Sequence, residues 1–195
     1  NALNEVIKHI SYDRVCCLGD VVASTGTLTE NEHHILQIID KRWQLVRGSH
    51  DILKCKKVIP VGPPLDRLCH ASPLSAGSFE EYIFPDASDE VLKRHFSPSA
   101  ADIFLVGHVH IPFVRACEIE GKKRFIINPG STGGSQYAGF LDNVSTDKRA
   151  SCAVLDTFAW LINFYRVPFK SGYVATSTRA DELVCSVQLD FERGM

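Results

Sequence analysis

IFLVGHVH, residues 103–110, sets the pattern by which the rest of the chain is read. Ile103 to Val106 is a short unbroken apolar run, the kind that forms a strand buried on both faces. It stops at Gly107. The next residues, His108-Val109-His110, place two imidazoles on one side of an extended backbone, because side chains alternate along a strand. The same arrangement recurs upstream. Asp13 to Leu18 (DRVCCL) reads as a buried strand ending at Gly19-Asp20, and Trp43 to Arg47 as a strand ending at Gly48-Ser49-His50-Asp51. After a proline-rich stretch from Pro60 to Pro64, a short strand leads to His70.

Helical signals fall between these strands. Leu3, Val6, Ile7 and Ile10 recur at the i, i+3, i+4, i+7 spacing of an amphipathic helix. Thr29 followed by Glu32 is a capping-box signature for a helix running to about Lys41, and Ser88 can cap another through Phe96. Alternation of helix and strand predicts an α/β fold with parallel pairing. The second half changes character. Phe113 to Glu118 and Arg124 to Ile127 flank a turn at Gly121, and Ser151 to Asp156 with Trp160 to Val167 form a second expected hairpin. Gly133 to Asp147 reads as one surface loop and Thr178 to Glu192 as a terminal helix. With no repeats and no linker, residues 1–195 are read as one domain.

Composition narrows the class. The 195 residues are 45% hydrophobic and 23% charged, an ordinary globular balance. A formal net charge of −2 argues against broad electrostatic capture of nucleic acid. No apolar run approaches the roughly 20 residues of a membrane span, so a soluble, cytoplasmic protein is expected. The seven cysteines are odd in number and form no CxxC pair, which reads as buried reduced thiols rather than a disulfide framework or zinc-thiolate site. The first residue is Asn1, and the chain is read as beginning inside a longer one.

Chemistry gathers where strands stop: Asp20, then Ser49-His50-Asp51, then His70, then His108 and His110. The carboxyl ends of strands in α/β sheets form the ligand crevice, so these residues can converge from distant positions. Each block has an ordinary reading when taken alone. Gly-Asp after a strand is commonly a turn, and a single histidine is commonly just hydrogen-bonded. Their conjunction argues for a metal site. Carboxylate and imidazole donors suit manganese, iron, zinc or nickel rather than a calcium cage. Cys69 is expected on the face opposite His70 and outside the donor set.

In their order and spacing, Gly19-Asp20, Gly48-Ser49-His50-Asp51, His70 and Gly107-His108-Val109-His110 resemble the GD, GNHD, H and GHxH blocks of the calcineurin-like metallophosphoesterases. Asn128-Pro129-Gly130-Ser131 is similar to the NPGS turn of that superfamily's small bacterial and archaeal phosphodiesterase branch. The resemblance implies a four-layer α/β/β/α sandwich carrying two divalent transition-metal ions, manganese first among them. It implies that Asp20 bridges both ions, that His110 ligates the first, and that His70, His108 and residue 49 serve the second. A hydroxide held by both metals would attack the phosphorus of a small phosphodiester or phosphomonoester in line. His50 would donate a proton or hydrogen bond, oriented by Asp51, and Asn128 to Ser131 would buttress the site.

Two departures from the family pattern stand out. Its opening strand, ending in D-x-H, has no counterpart here, so those first-metal ligands are expected upstream of Asn1. Ser49 stands where the family has Asn, on a shorter arm. Together they support an alternative: a protein-binding scaffold that kept the fold and lost catalysis, for which the retromer subunit of this fold is the precedent. His50-Asp51 and the His108/His110 pair count against it. No membrane or nucleic-acid partner is expected, and a homo-oligomer is left open.

Overall fold

Thr29 shows how closely local chemistry sets an element boundary. Its backbone N–H and hydroxyl donate to the Glu32 carboxylate at 2.6 and 2.9 Å, and the Glu32 N–H donates back to its Oγ1 at 3.3 Å. This reciprocal box opens helix α2 (Glu30–Ile38). The computed structural model of the protein describes residues 2–21, 28–39, 43–46, 48, 49, 51, 68–74, 82–133, 149–168 and 182–190. The proline-rich stretch, residues 134–148 where a surface loop is expected, Arg47 and His50 lie outside them.

Before α2 come α1 (Ala2–His9) and β1 (Val15–Cys17); after it comes β2 (Trp43–Leu45). β1 and β2 pair in parallel, Val15 opposite Trp43 and Cys17 opposite Leu45, as helix-connected strands should. Leu3 and Ile7 of α1 and Leu36 of α2 pack on Trp43 and Leu45.

A second sheet holds β3 (Leu68–Cys69), β4 (Ile103–Val106), β5 (Phe113–Ile119) and β6 (Lys122–Asn128) in the order β3-β4-β6-β5. The pairs β3–β4 and β4–β6 are parallel, and β5–β6 is antiparallel. The first predicted hairpin therefore does not begin a separate antiparallel sheet. β6 slots in beside β4, and β5 takes the edge. Burial explains the choice: Arg124 to Asn128 are all buried, as befits an interior strand covered on both faces, whereas β5 carries partly exposed positions. Glu120 (φ 54°) and Gly121 (φ 71°) both take the left-handed backbone that a two-residue hairpin turn requires.

Alternation along β4 and β6 divides the core. Phe104, Val106 and Ile126 face α3 (Asp89–Phe96) and pack with its Leu92 and Phe96. Ile103, Phe125 and Ile127 face the other way, onto Ile162, Phe164 and Leu189. Ile162 and Phe164 belong to a third sheet, β7 (Ala150–Asp156), β8 (Leu161–Val167) and β9 (Glu182–Gln188), which is wholly antiparallel, and Leu189 directly follows β9. Its far face, through Ala150, Cys152, Tyr165 and Val167, meets Val6 and Ile10 of α1.

Arg124 ties the layers together from inside. Its guanidinium donates to the carbonyls of Phe96 and Ser99, at and just past the end of α3, and to Glu120 in the hairpin turn. A cation with rigid forked donors suits carbonyls left over at a helix C-terminus.

β9 corrects the expectation of a helix over Thr178 to Glu192. Within the described part, Glu182–Gln188 is extended and the strand adds to the free edge of β8. There the backbone groups that face β8 are satisfied while Val187 and the following Leu189 join the core. An isolated helix would bury little. Among the described residues, no helix is long and apolar enough to cross a membrane.

Candidate metal centre

Asp20 follows β1, His70 follows β3 and His108 follows β4, and the fold delivers one donor atom from each to a single point. The three atoms lie within 4.8 Å of one another. His70 Nε2 stands 3.2 Å from Asp20 Oδ2 and 3.0 Å from His108 Nδ1. Both histidines are buried and Asp20 is half-buried.

The protonation pattern follows from one contact. His70 Nδ1 is 2.6 Å from the Leu18 carbonyl oxygen, which can only accept. The ring proton of neutral His70 therefore sits on Nδ1, and the Nε2 lone pair faces the carboxylate and the second imidazole. Electron-rich atoms converging in a buried place call for a cation among them. A metal-ligating histidine held by a backbone carbonyl on its other nitrogen is the usual orienting arrangement. Metal–ligand bonds of about 2.1 Å put adjacent ligands roughly 3 Å apart, close to the 3.2 and 3.0 Å that separate His70 Nε2 from Asp20 and His108. The donor set fits a divalent transition metal.

Backbone conformation around the site is unusual. Asp20 (φ 55°) and His108 (φ 64°) both occupy the left-handed region, where non-glycine residues are uncommon and cluster at functional sites. At His108 the Val109 N–H donates to the Gly107 carbonyl at 2.7 Å, closing a three-residue turn with the histidine at its apex. Asn128, fully buried at the end of β6, holds that turn. Its Nδ2 donates to the carbonyls of Gly107 (2.9 Å) and Val109 (2.6 Å), and its Oδ1 accepts from Gly130 N–H (2.8 Å). The extended geometry expected for His108-Val109-His110 is therefore replaced by a turn. Val109 plugs the core, His108 reaches Asp20 and His70, and the partly buried His110 stays outside that trio.

The loop after β2 packs backbone against backbone on the loop after β1. A Cβ added to Gly48 would overlap both the Asp20 carboxylate and its backbone nitrogen. Ser49 Oγ donates to Asp20, 3.3 Å from Oδ1 and 3.5 Å from Oδ2. Asp51, fully buried, accepts from Gly48 N–H at 3.0 Å and pins the turn closed. His50 lies outside the described residues.

Among the described residues, no cysteine joins the cluster. Cys69, one residue before His70, packs toward α3, and burial pushes its thiol up to about 12. Burial likewise raises Cys17 to about 11. Both stay protonated at neutral pH, unsuited to act as ligands.

Sequence reasoning missed two participants. One is the Leu18 carbonyl, which no residue type can announce. The other is Tyr82, whose ring stacks on His108 with centroids 4.3 Å apart and planes 23° off parallel. It belongs to no motif.

Residues 1–158 match the family model of the calcineurin-like phosphoesterase superfamily domain. The uncharacterized protein MJ0912 of Methanocaldococcus jannaschii is similar to the chain, 29% identical over 217 residues covering 87% of this chain and 82% of that protein.

Proposed function

The chain belongs to the calcineurin-like phosphoesterase superfamily, and from that premise we propose that it hydrolyses phosphoesters with divalent metal held at Asp20, His70 and His108. One observation carries the reading: three donor atoms from three separate strand ends converge within 4.8 Å. When bound, such metal polarises a phosphoryl oxygen and supplies a nucleophile from water at neutral pH. The chain's own residues do the rest. The Leu18 carbonyl keeps His70 in its ligating tautomer, and Ser49 steadies the Asp20 carboxylate. His50 gives a proton or hydrogen bond to a substrate oxygen, the role implied by its place in the Gly48–Asp51 block.

The finer reading is of two ions, manganese preferred over iron, zinc or nickel, with Asp20 shared and His110 on the first. The substrate is a small phosphodiester more readily than a monoester. The frame is the four-layer α/β/β/α sandwich, which the packing of α3, two sheets and α1 in succession supports.

Hydrolysis of bis(p-nitrophenyl) phosphate by the full-length protein with manganese tests the proposal. Turnover is expected, and His50→Ala should lower it on the order of 10²-fold without unfolding the protein. No hydrolysis with manganese, iron, zinc or nickel, or an undiminished rate in the variant, would leave the scaffold reading in its place.

A further inference from the structure

We infer that Tyr82 is a positioning residue, whose ring fixes the plane of the His108 imidazole and thereby sets how tightly the cluster holds a divalent cation. The inference rests on the metal reading above.

An imidazole turns easily about its terminal torsion, which has broad, shallow preferences. Its backbone gives His108 little help, since the residue rides at the apex of a left-handed turn. Contacts made by the ring itself, its Nδ1 to His70 Nε2 at 3.0 Å and the two neighbouring rings, set the plane. The edge of His70 meets His108 at 4.8 Å and 62°, and the face of Tyr82 covers it at 4.3 Å and 23°. For His70 the orienting partner is a carbonyl; for His108 this aromatic face acts beside the 3.0 Å contact of its Nδ1 with His70 Nε2.

Tyr82 is itself held in place. Its neighbour Ile83 is 3% exposed in the core beneath α3, and Phe84 lies 6.0 Å away and nearly parallel. The next residues form a turn, Ala87 N–H to the Phe84 carbonyl, that runs into the Ser88 cap of α3. Arg115 of β5 clamps it with bonds to the Pro85 carbonyl (2.6 Å) and Asp89 (3.1 Å). A ring so placed, and still 41% exposed, forms a wall between His108 and solvent. The ring face is the part of Tyr82 that meets His108.

Calorimetric titration of the full-length metal-free protein with Mn²⁺ tests this. Y82A should bind on the order of 10-fold more weakly, the size expected for losing an aromatic contact that orients a ligand. Y82F should bind like the wild type. NMR of the metal-free protein gives an independent arm: the His108 ring protons should carry a ring-current shift that persists in Y82F and vanishes in Y82A. Affinity unchanged in Y82A, or Y82F as weak as Y82A, overturns the inference while leaving the metal reading intact. A wild type that binds no Mn²⁺ but keeps the ring-current shift overturns the metal reading, and the positioning role falls with it. Absence of the shift in the wild type overturns the stacking itself.

Discussion

Gly48 and Asp20 are twenty-eight positions apart, yet one hydrogen atom is all that fits between them: a Cβ at Gly48 would collide with the Asp20 carboxylate and backbone nitrogen. Because the second obstacle is main chain, no rotamer change relieves it. Gly48→Ala should therefore move the whole Asp20 turn. We expect Mn²⁺ affinity to fall by at least about 100-fold, with a stability loss of roughly 1–3 kcal/mol, the usual cost of overpacking. Titration calorimetry and urea denaturation, run side by side, measure the two effects; a variant that binds metal normally would show that the two loops can separate freely. Ser49, the neighbour that departs from the family pattern, is placed with its hydroxyl on the Asp20 carboxylate, a contact that the shorter arm still reaches.

At the scale of elements, Asn128 joins the end of β6 to the turn after β4. One buried carboxamide satisfies two carbonyls and one N–H. Asn128→Ala would leave the Val109 carbonyl and the Gly130 N–H without this partner, while the Gly107 carbonyl keeps the Val109 N–H; each buried group left unsatisfied costs about 1–3 kcal/mol. Partial relaxation should hold the net loss to about 2–4 kcal/mol, read by chemical denaturation. The same variant should loosen the His108 turn and weaken metal binding. Full stability with ordinary affinity would mean that the turn holds its own shape. The sequence reading already assigned a buttressing part to Asn128-Pro129-Gly130-Ser131, but it did not reveal which groups the amide holds, because those carbonyls carry no residue identity.

Across the whole molecule, position decides the worth of identical chemistry. Phe104 is fully buried between α3 and the second sheet, in contact with Phe96 at 4.9 Å between centroids. Phe158, in the β7–β8 turn, is 97% exposed. Phe104→Ala should cost about 3–5 kcal/mol, whereas Phe158→Ala should stay within about ±0.5 kcal/mol. Thermal melts of both variants check the contrast. Comparable shifts would mean that the layer contact is not where the described fold places it, or that Phe158 is covered in solution.

Signals that act within one element could be read directly from the residues. The Thr29–Glu32 box, the Ser88 cap and the apolar run of β4 depend on groups a few positions apart, so they form wherever the chain goes. The strand ends that carry Asp20, His70 and His108 belong with these, and so does the α/β class that follows from their alternation with helices. Only the tertiary structure decided what depends on partners distant in sequence. β9 is a strand because β8 offers it an open edge. β6 lies inside the second sheet because both its faces find cover. His108 parts from His110 because Asn128 bends the backbone between them, and Tyr82 meets His108 because Ile83 is anchored under α3. The physical reason is range. Capping and periodicity act over about one helical turn, whereas pairing, burial and ligand convergence are free energies of contact between segments that meet only once the chain has folded.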